Sequence, residues 1–135
     1  ALSDLRNIRT TEEAMFADYQ DYGSNTGVAV GAGGAMPLQG AIAANTQTVT
    51  LSTGVGGIVL VSAASVGGVN RNNSFVVKTV HINGDNAYGG DNDASSLYRD
   101  PCTTAGNCLD ADRDVAPTTS VSGTNQFTGT GFSAM

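Results

Sequence analysis

The first 22 residues constrain the fold more than any other part of the chain, because they contain neither glycine nor proline. Their large apolar residues recur at spacings of three, four and seven, which places them on one face of a helix. These residues are Leu5, Ile8, Met15, Tyr19 and Tyr22. We therefore predict a helix over 1–22, about 33 Å long. We expect it to end at Gly23, since glycine readily accepts the left-handed conformation.

A charged residue, Glu12, interrupts the apolar face of this helix. Part of this face must therefore reach solvent or a partner, because an unpaired buried charge is costly. Three other charged residues, Arg6, Arg9 and Glu13, fall on the opposite side. They are the candidates for contact with another subunit, and the alternative is an ordinary solvated helix face.

The composition favours a secreted, β-rich protein. Only 13% of the 135 residues are charged, which is about half the usual fraction for a soluble domain. The 18 glycines predict long turns and loops. The longest strongly apolar run, 58–61, is far shorter than the roughly 18 residues of a membrane span.

Three segments have strand patterns. Residues 47–52 alternate between apolar and polar side chains, and 57–64 form a continuous apolar run. Residues 74–82 place Val76, Val80 and Ile82 on one face and Phe75, Val77 and Thr79 on the other. Glycine- and asparagine-rich links join these segments, so we predict an antiparallel meander of three strands.

These patterns predict a single domain with four parts. Residues 1–22 form the helix, 23–45 a connecting loop, 46–82 the antiparallel sheet, and 83–135 a C-terminal loop region. The fold class is therefore α+β, with one long N-terminal helix packed on an antiparallel sheet of three to five strands.

The acidic residues concentrate between Asp85 and Asp114, where seven aspartates face only two arginines. This stretch carries −5 of the net charge of −6, so we expect no nucleic-acid binding through that face. Asp110, Asp112 and Asp114 have the alternating spacing of calcium loops. An EF-hand would need glycine and glutamate where Val115 and Val121 stand, so only a calcium site of another kind, or a solvated acidic loop, is left.

The two cysteines, Cys102 and Cys108, predict a disulfide and hence an oxidising compartment. Since His81 is the single histidine, the chain has too few soft ligands for a zinc site. Two free thiols are the alternative.

Catalysis is not expected, and neither is a cofactor other than calcium. His81 lies in a strand pattern without a nearby nucleophile motif, and a histidine there usually packs or faces solvent. The glycine cluster 31–34 lacks the lysine of a phosphate-binding loop.

Two segments resemble a known family. Residues 3–10 (SDLRNIRT), 12–20 (EEAMFADYQ) and Tyr22-Gly23 are similar to the second half of the long helix of type IVa pilins, in particular those of metal-reducing bacteria. The segment 81–98, with Gly84-Asp85, Tyr88-Gly89 and Leu97-Tyr98, resembles the end of the sheet in that group. The resemblance implies a pilin-like fold.

The family's most diagnostic residues are not in this sequence. A pilin begins with a cleaved leader, a methylated phenylalanine and an apolar half-helix. The start at Ala1 inside a helical pattern therefore predicts that this half was deleted or belongs to a separate chain.

The resemblance implies a structural subunit of a type IV pilus. Its partners would be other copies of itself in a helical fibre, the pilus assembly machinery and, through the upstream helix, the inner membrane. The location would be the cell-surface pilus, with a precursor pool in the inner membrane and periplasm. The alternatives are a pseudopilin of a type II secretion system, some of which bind calcium in a C-terminal loop, and a secreted β-rich adhesin or binding domain.

Overall fold

The computed structural model describes all residues from Ala1 to Met135 apart from the side chain of Val66. The helices and strands of these residues are, in chain order, α1 (Leu2–Tyr19), β1 (Asn25–Val28), β2 (Gly34–Gln39), β3 (Thr46–Leu51), β4 (Val55–Val66), β5 (Val69–His81), β6 (Asn86–Asp91), β7 (Tyr98–Pro101), α2 (Asp110–Arg113) and β8 (Ser133–Ala134).

The predicted fold class is wrong. Strands make up 41% of the chain and helix only 16%, so the protein is mainly antiparallel sheet with a short N-terminal helix rather than a pilin-like fold dominated by a long one. The difference arises because strands occupy the segments predicted as loops. β1 and β2 lie within 23–45, and β6, β7 and β8 lie within 83–135.

The strands form two sheets. The larger has the order β1-β4-β5-β6-β7-β8, and the smaller pairs β2 with β3. The predicted meander of three strands is therefore also wrong, because β3 pairs with β2 and not with β4. β1, from the segment predicted to be a loop, pairs with β4 in its place.

The β4–β5 hairpin forms the centre of the larger sheet. Its turn consists of Gly67 and Gly68, with φ of 59° and 81°. Two successive positive φ values are typical of the type I′ turn, whose twist matches that of the flanking strands. This turn makes both strands longer than the predicted 57–64 and 74–82.

The helix ends earlier than predicted. Gln20, with φ 53° and ψ 38°, caps α1 and donates its backbone N–H to the carbonyl of Phe16. The chain then leaves the helix because Tyr22 donates its backbone N–H to Asn72 of β5. Gly23 serves close packing instead, since a Cβ there would lie 2.6 Å from that of Leu38.

The larger sheet buries side chains on both faces. On one face, α1 and the β2–β3 sheet pack over Phe75 and Val77. On the other, the C-terminal segment packs over Val76 and Val80. The two predicted faces of β5 are thus confirmed for these four residues.

Candidate functional site

The outward face of α1 carries an open depression of about 500 Å³. It is lined by the three residues that the sequence placed on this face, Arg6, Arg9 and Glu13, together with Thr10. Their spacing of three and four residues brings them side by side on one helix surface. We call this set the α1 groove.

The two arginines of the groove differ in their contacts with the rest of the chain. Arg9 is held in place because its guanidinium donates to the carbonyls of Ala94, at 3.0 Å, and Ser95, at 3.4 Å. Arg6 is exposed. Among the basic side chains that the structure describes, Arg6 and Arg99 are the exposed ones, since Lys78 and Arg113 are buried and Arg9 and Arg71 are half-buried. Arg6 therefore supplies the groove's free positive charge.

The inward face of α1 holds a buried carboxyl group. Leu5, Ile8 and Met15 are fully buried, as their spacing predicts, and Glu12 is buried among them. Glu12 Oε2 accepts the backbone N–H of Gly23 at 2.8 Å, while Oε1 has no partner among the described residues. Burial raises the pKa of Glu12 to about 8, and the Gly23 hydrogen bond offsets only part of this shift.

The calcium candidates have other roles in the structure. Asp110 accepts the backbone N–H of Val30, and Asp114 forms two hydrogen bonds with Arg113. Asp112 is buried and accepts from Leu109 and Thr103. Across the part of the chain that is described, these three carboxylates do not converge as metal ligands would. Calcium binding therefore stays a prediction that this geometry does not support.

Asp112 organises the loop in which it lies. Burial alone would raise the pKa of this carboxyl group, but hydrogen bonds from the backbone of Thr103 and Leu109 and from the Thr103 hydroxyl lower it below its ordinary value. Both carboxylate oxygens are used, Oδ1 by Thr103 and Oδ2 by Leu109. The ionised form thus closes the loop and caps α2.

The predicted disulfide between Cys102 and Cys108 is confirmed. Backbone hydrogen bonds join its ring to the end of β5 and the turn after it, from Cys108 to Ile82 and from Gly106 to Gly84. The bridge also brings Cys108, which is fully buried, into the core beneath the C-terminal segment.

Replacing Cys102 and Cys108 together by alanine is expected to lower the free energy of unfolding by about 2–2.5 kcal/mol, because the small ring no longer restricts the unfolded chain. Urea unfolding measures the change. Adding dithiothreitol should bring the native protein to the same stability as the variant and leave the variant unaffected. Equal stability of the native protein and the variant without reductant would contradict this expectation.

A buried lysine is among the charged residues that the sequence analysis missed. Lys78 lies in the middle of β5, and its ammonium group donates to the carbonyls of Val115 and Pro117. Burial lowers the pKa of Lys78 to about 8, with Asp114 opposing and Arg113 reinforcing the shift. It borders a cavity of about 240 Å³ with Arg113, Asp114 and apolar β4 side chains. The only signal was a lysine between Val76 and Val80 on a face predicted to be apolar.

No family model, curated protein or solved structure matches this chain. Among the described helices, none has the length and apolar character needed to cross a membrane. The resemblance of residues 1–23 to pilin helices therefore stays a prediction.

Proposed function

We propose that this chain is a structural subunit of a cell-surface fibre of the type IV pilus kind, and that the α1 groove contacts a neighbouring copy. The partners in this proposal are other copies of the chain and the machinery that assembles such fibres. The observation that carries it is the meeting of Arg6, Arg9 and Glu13 in one open depression.

Charge complementarity supports a second copy as the occupant of the groove. The stretch from Asp85 to Asp114 carries −5, and much of it is exposed. Two copies of an acidic protein repel each other overall. If a neighbour places this acidic stretch against Arg6 and Arg9, the opposite charges attract at the contact. Exposed ion pairs contribute little energy each, so these contacts set the orientation of the subunits.

The disulfide favours a fibre subunit over a pseudopilin, for which we expect a calcium loop without a disulfide. Asp110, Asp112 and Asp114 are bonded to protein donors instead. A different observation favours a secreted β-rich binding domain as the second candidate, since the chain is mostly sheet. Such a domain would not need the α1 groove.

Replacing Arg6 by glutamate is expected to reduce the fibres on the cell surface by about tenfold, because the groove would then repel the acidic stretch of a neighbour. The measurement is an immunoblot of the chain in fibres sheared from the cells that produce it. Arg6 is exposed, so the subunit itself should remain folded.

The matched control is the double variant Thr48→Glu and Thr50→Glu, because it makes the same change of two charges at exposed positions of β3, outside both the groove and the acidic stretch. We expect it to leave the fibre yield within about twofold of the native value. Normal yield from Arg6→Glu, or an equal loss from both variants, would reject the groove as the subunit contact and leave the binding domain as the better candidate.

A further inference from the structure

The distribution of charge divides the chain in two. No aspartate, glutamate, lysine or arginine occurs between Tyr22 and Asn70, and this segment includes β1, β2, β3 and β4. All the charges that give the net −6 lie outside it. We call residues 22–70 the charge-free segment. Its surface is where two copies of an acidic protein approach with the least repulsion.

Within this segment, β4 has a long unpaired edge. β5 pairs with β4 from Val55 to Val66. On its other side, β4 meets β1 at Gly57 and Val59. The part of β4 beyond this contact, Leu60–Ser65, has the sequence LVSAAS. It contains none of the lysines, prolines or inward-pointing charges by which natural proteins protect an edge.

The hydrogen bonds of β5 show which groups this edge exposes. The backbone N–H groups of Phe75 and Asn72 donate to Asn92 and Asp21, away from β4. Their cross-strand partners on β4 are Val61 and Ala63. Each of these is therefore a non-hydrogen-bonded pair, in which the N–H and C=O groups of both residues point away from the partner strand. The N–H and C=O groups of Val61 and Ala63 therefore point outward.

The alternation of a strand extends this pattern. Gly57 and Val59, which pair with β1, lie in the same phase as Val61 and Ala63, and so does Ser65. Throughout the described residues, no hydrogen bond from another segment reaches the backbone of Val61, Ala63 or Ser65. The irregularity in the hairpin leaves Asn73 of β5 as the extra residue, so β4 itself is regular here.

We propose that Leu60–Ser65 is a docking edge for the same edge of a second copy, paired antiparallel about a two-fold axis at Ala63. In this register Ala63 faces Ala63 of the second copy, and Val61 faces Ser65. Every outward N–H and C=O group of the edge then has a partner. A two-fold axis places identical residues opposite each other, and like charges in directly facing pairs are unfavourable. The segment is uncharged, so this pairing brings no like charges together. The proposal goes beyond fibre assembly, since it does not use the α1 groove.

Replacing Ala63 by lysine tests this pairing, because two lysines would face each other across the axis. Ala63 is exposed, and its N–H does not bond to β5, so the hairpin should remain intact. Sedimentation equilibrium should show the native chain shifting toward twice its mass at about 0.1–1 mM. Ala63→Lys should weaken this association by about tenfold or more.

Ala44→Lys is the matched control, since it adds the same charge at an exposed position of the charge-free segment away from β4. It should associate as the native chain does, and so should Arg6→Glu, which separates this test from that of fibre assembly. Mixing Ala63→Lys with Ala63→Glu should restore dimers, because opposite charges then meet at the axis.

Amide hydrogen exchange gives an independent readout. The amides of Val61, Ala63 and Ser65 should exchange rapidly in dilute protein and become protected as the concentration rises. A native chain that stays monomeric at about 1 mM would overturn the proposal. Equal dimerisation of Ala63→Lys and Ala44→Lys, or no rescue in the mixture, would do the same.

Discussion

Replacing Glu12 by glutamine is expected to raise the free energy of unfolding at about pH 9 by roughly 2–4 kcal/mol, and to change it little near pH 4. Glutamine has nearly the same shape and still accepts the N–H of Gly23. It carries no charge, whereas Glu12 must ionise inside the core at high pH. The measurement is urea unfolding at a series of pH values.

The sign of this effect follows from the pKa of Glu12, which is about 8 in the folded protein against an ordinary value of 4.5. The folded state therefore holds a proton that the unfolded state releases. The contribution to stability is complete below about pH 4.5 and is lost as the pH rises to about 8. At roughly 1.4 kcal/mol for each pH unit, that interval sets an upper limit of about 5 kcal/mol. Relaxation of the core and access of water to the ionised carboxylate reduce the expected gain to roughly 2–4 kcal/mol.

Glu13→Gln is the control for this experiment, because Glu13 is the adjacent residue of α1 and is exposed. Its effect should stay within about 0.5 kcal/mol at every pH. If Glu12→Gln differed from the native protein by the same amount at pH 5 and pH 9, Glu12 would not have the raised pKa.

Replacing Asp21 by alanine is expected to lower the free energy of unfolding by about 3–5 kcal/mol at neutral pH. The buried carboxylate of Asp21 accepts the backbone N–H groups of Ala41, Ile42 and Asn72 and the side-chain amide of Asn45. It thereby joins the end of α1 to β5 and to the turn between β2 and β3. Alanine would leave these donors without their acceptor.

The pH dependence at Asp21 has the opposite sign to that at Glu12. Burial would raise the pKa of Asp21, but the hydrogen bonds from Asn72, Ile42, Asn45 and Ala41 together lower it below 3.8. Its contribution to stability is present above about pH 4 and is lost as the pH falls through the folded pKa.

The control for the Asp21 substitution is Asp18→Ala, at an exposed position of α1. The measurement is urea unfolding. If Asp21→Ala lowers the free energy of unfolding by less than about 1 kcal/mol, water replaces the carboxylate as the acceptor for these donors.

Sequence periodicity was sufficient where a residue's environment depends on its near neighbours. The spacing of Leu5, Ile8 and Met15 predicted the buried face of α1, and the same periodicity brought Arg6 and Glu13 together on its outer face. Alternation likewise separated Phe75 from Val76 on the two faces of β5. The disulfide followed from the short list of available ligands.

Other features depend on partners that are remote in the sequence. β1 and β6 are short and glycine-containing, so they become strands only because β4 and β5 offer edges to pair with. Gln20 ends α1 because Asn72, more than fifty residues away, binds Tyr22. Asp110 resembled a metal ligand in the sequence, yet Val30 supplies its hydrogen-bond donor. Local patterns do not contain these contacts.

The charge-free segment also has a consequence for digestion. A protease that cleaves after lysine or arginine has no site between Arg9 and Arg71, and one that needs an acidic residue has none between Asp21 and Asp85. Even when the chain is unfolded, trypsin would leave the residues of β1, β2, β3 and β4 together on one fragment, 10–71. The chain would therefore resist such enzymes over nearly half of its length through composition alone, whatever its folding stability.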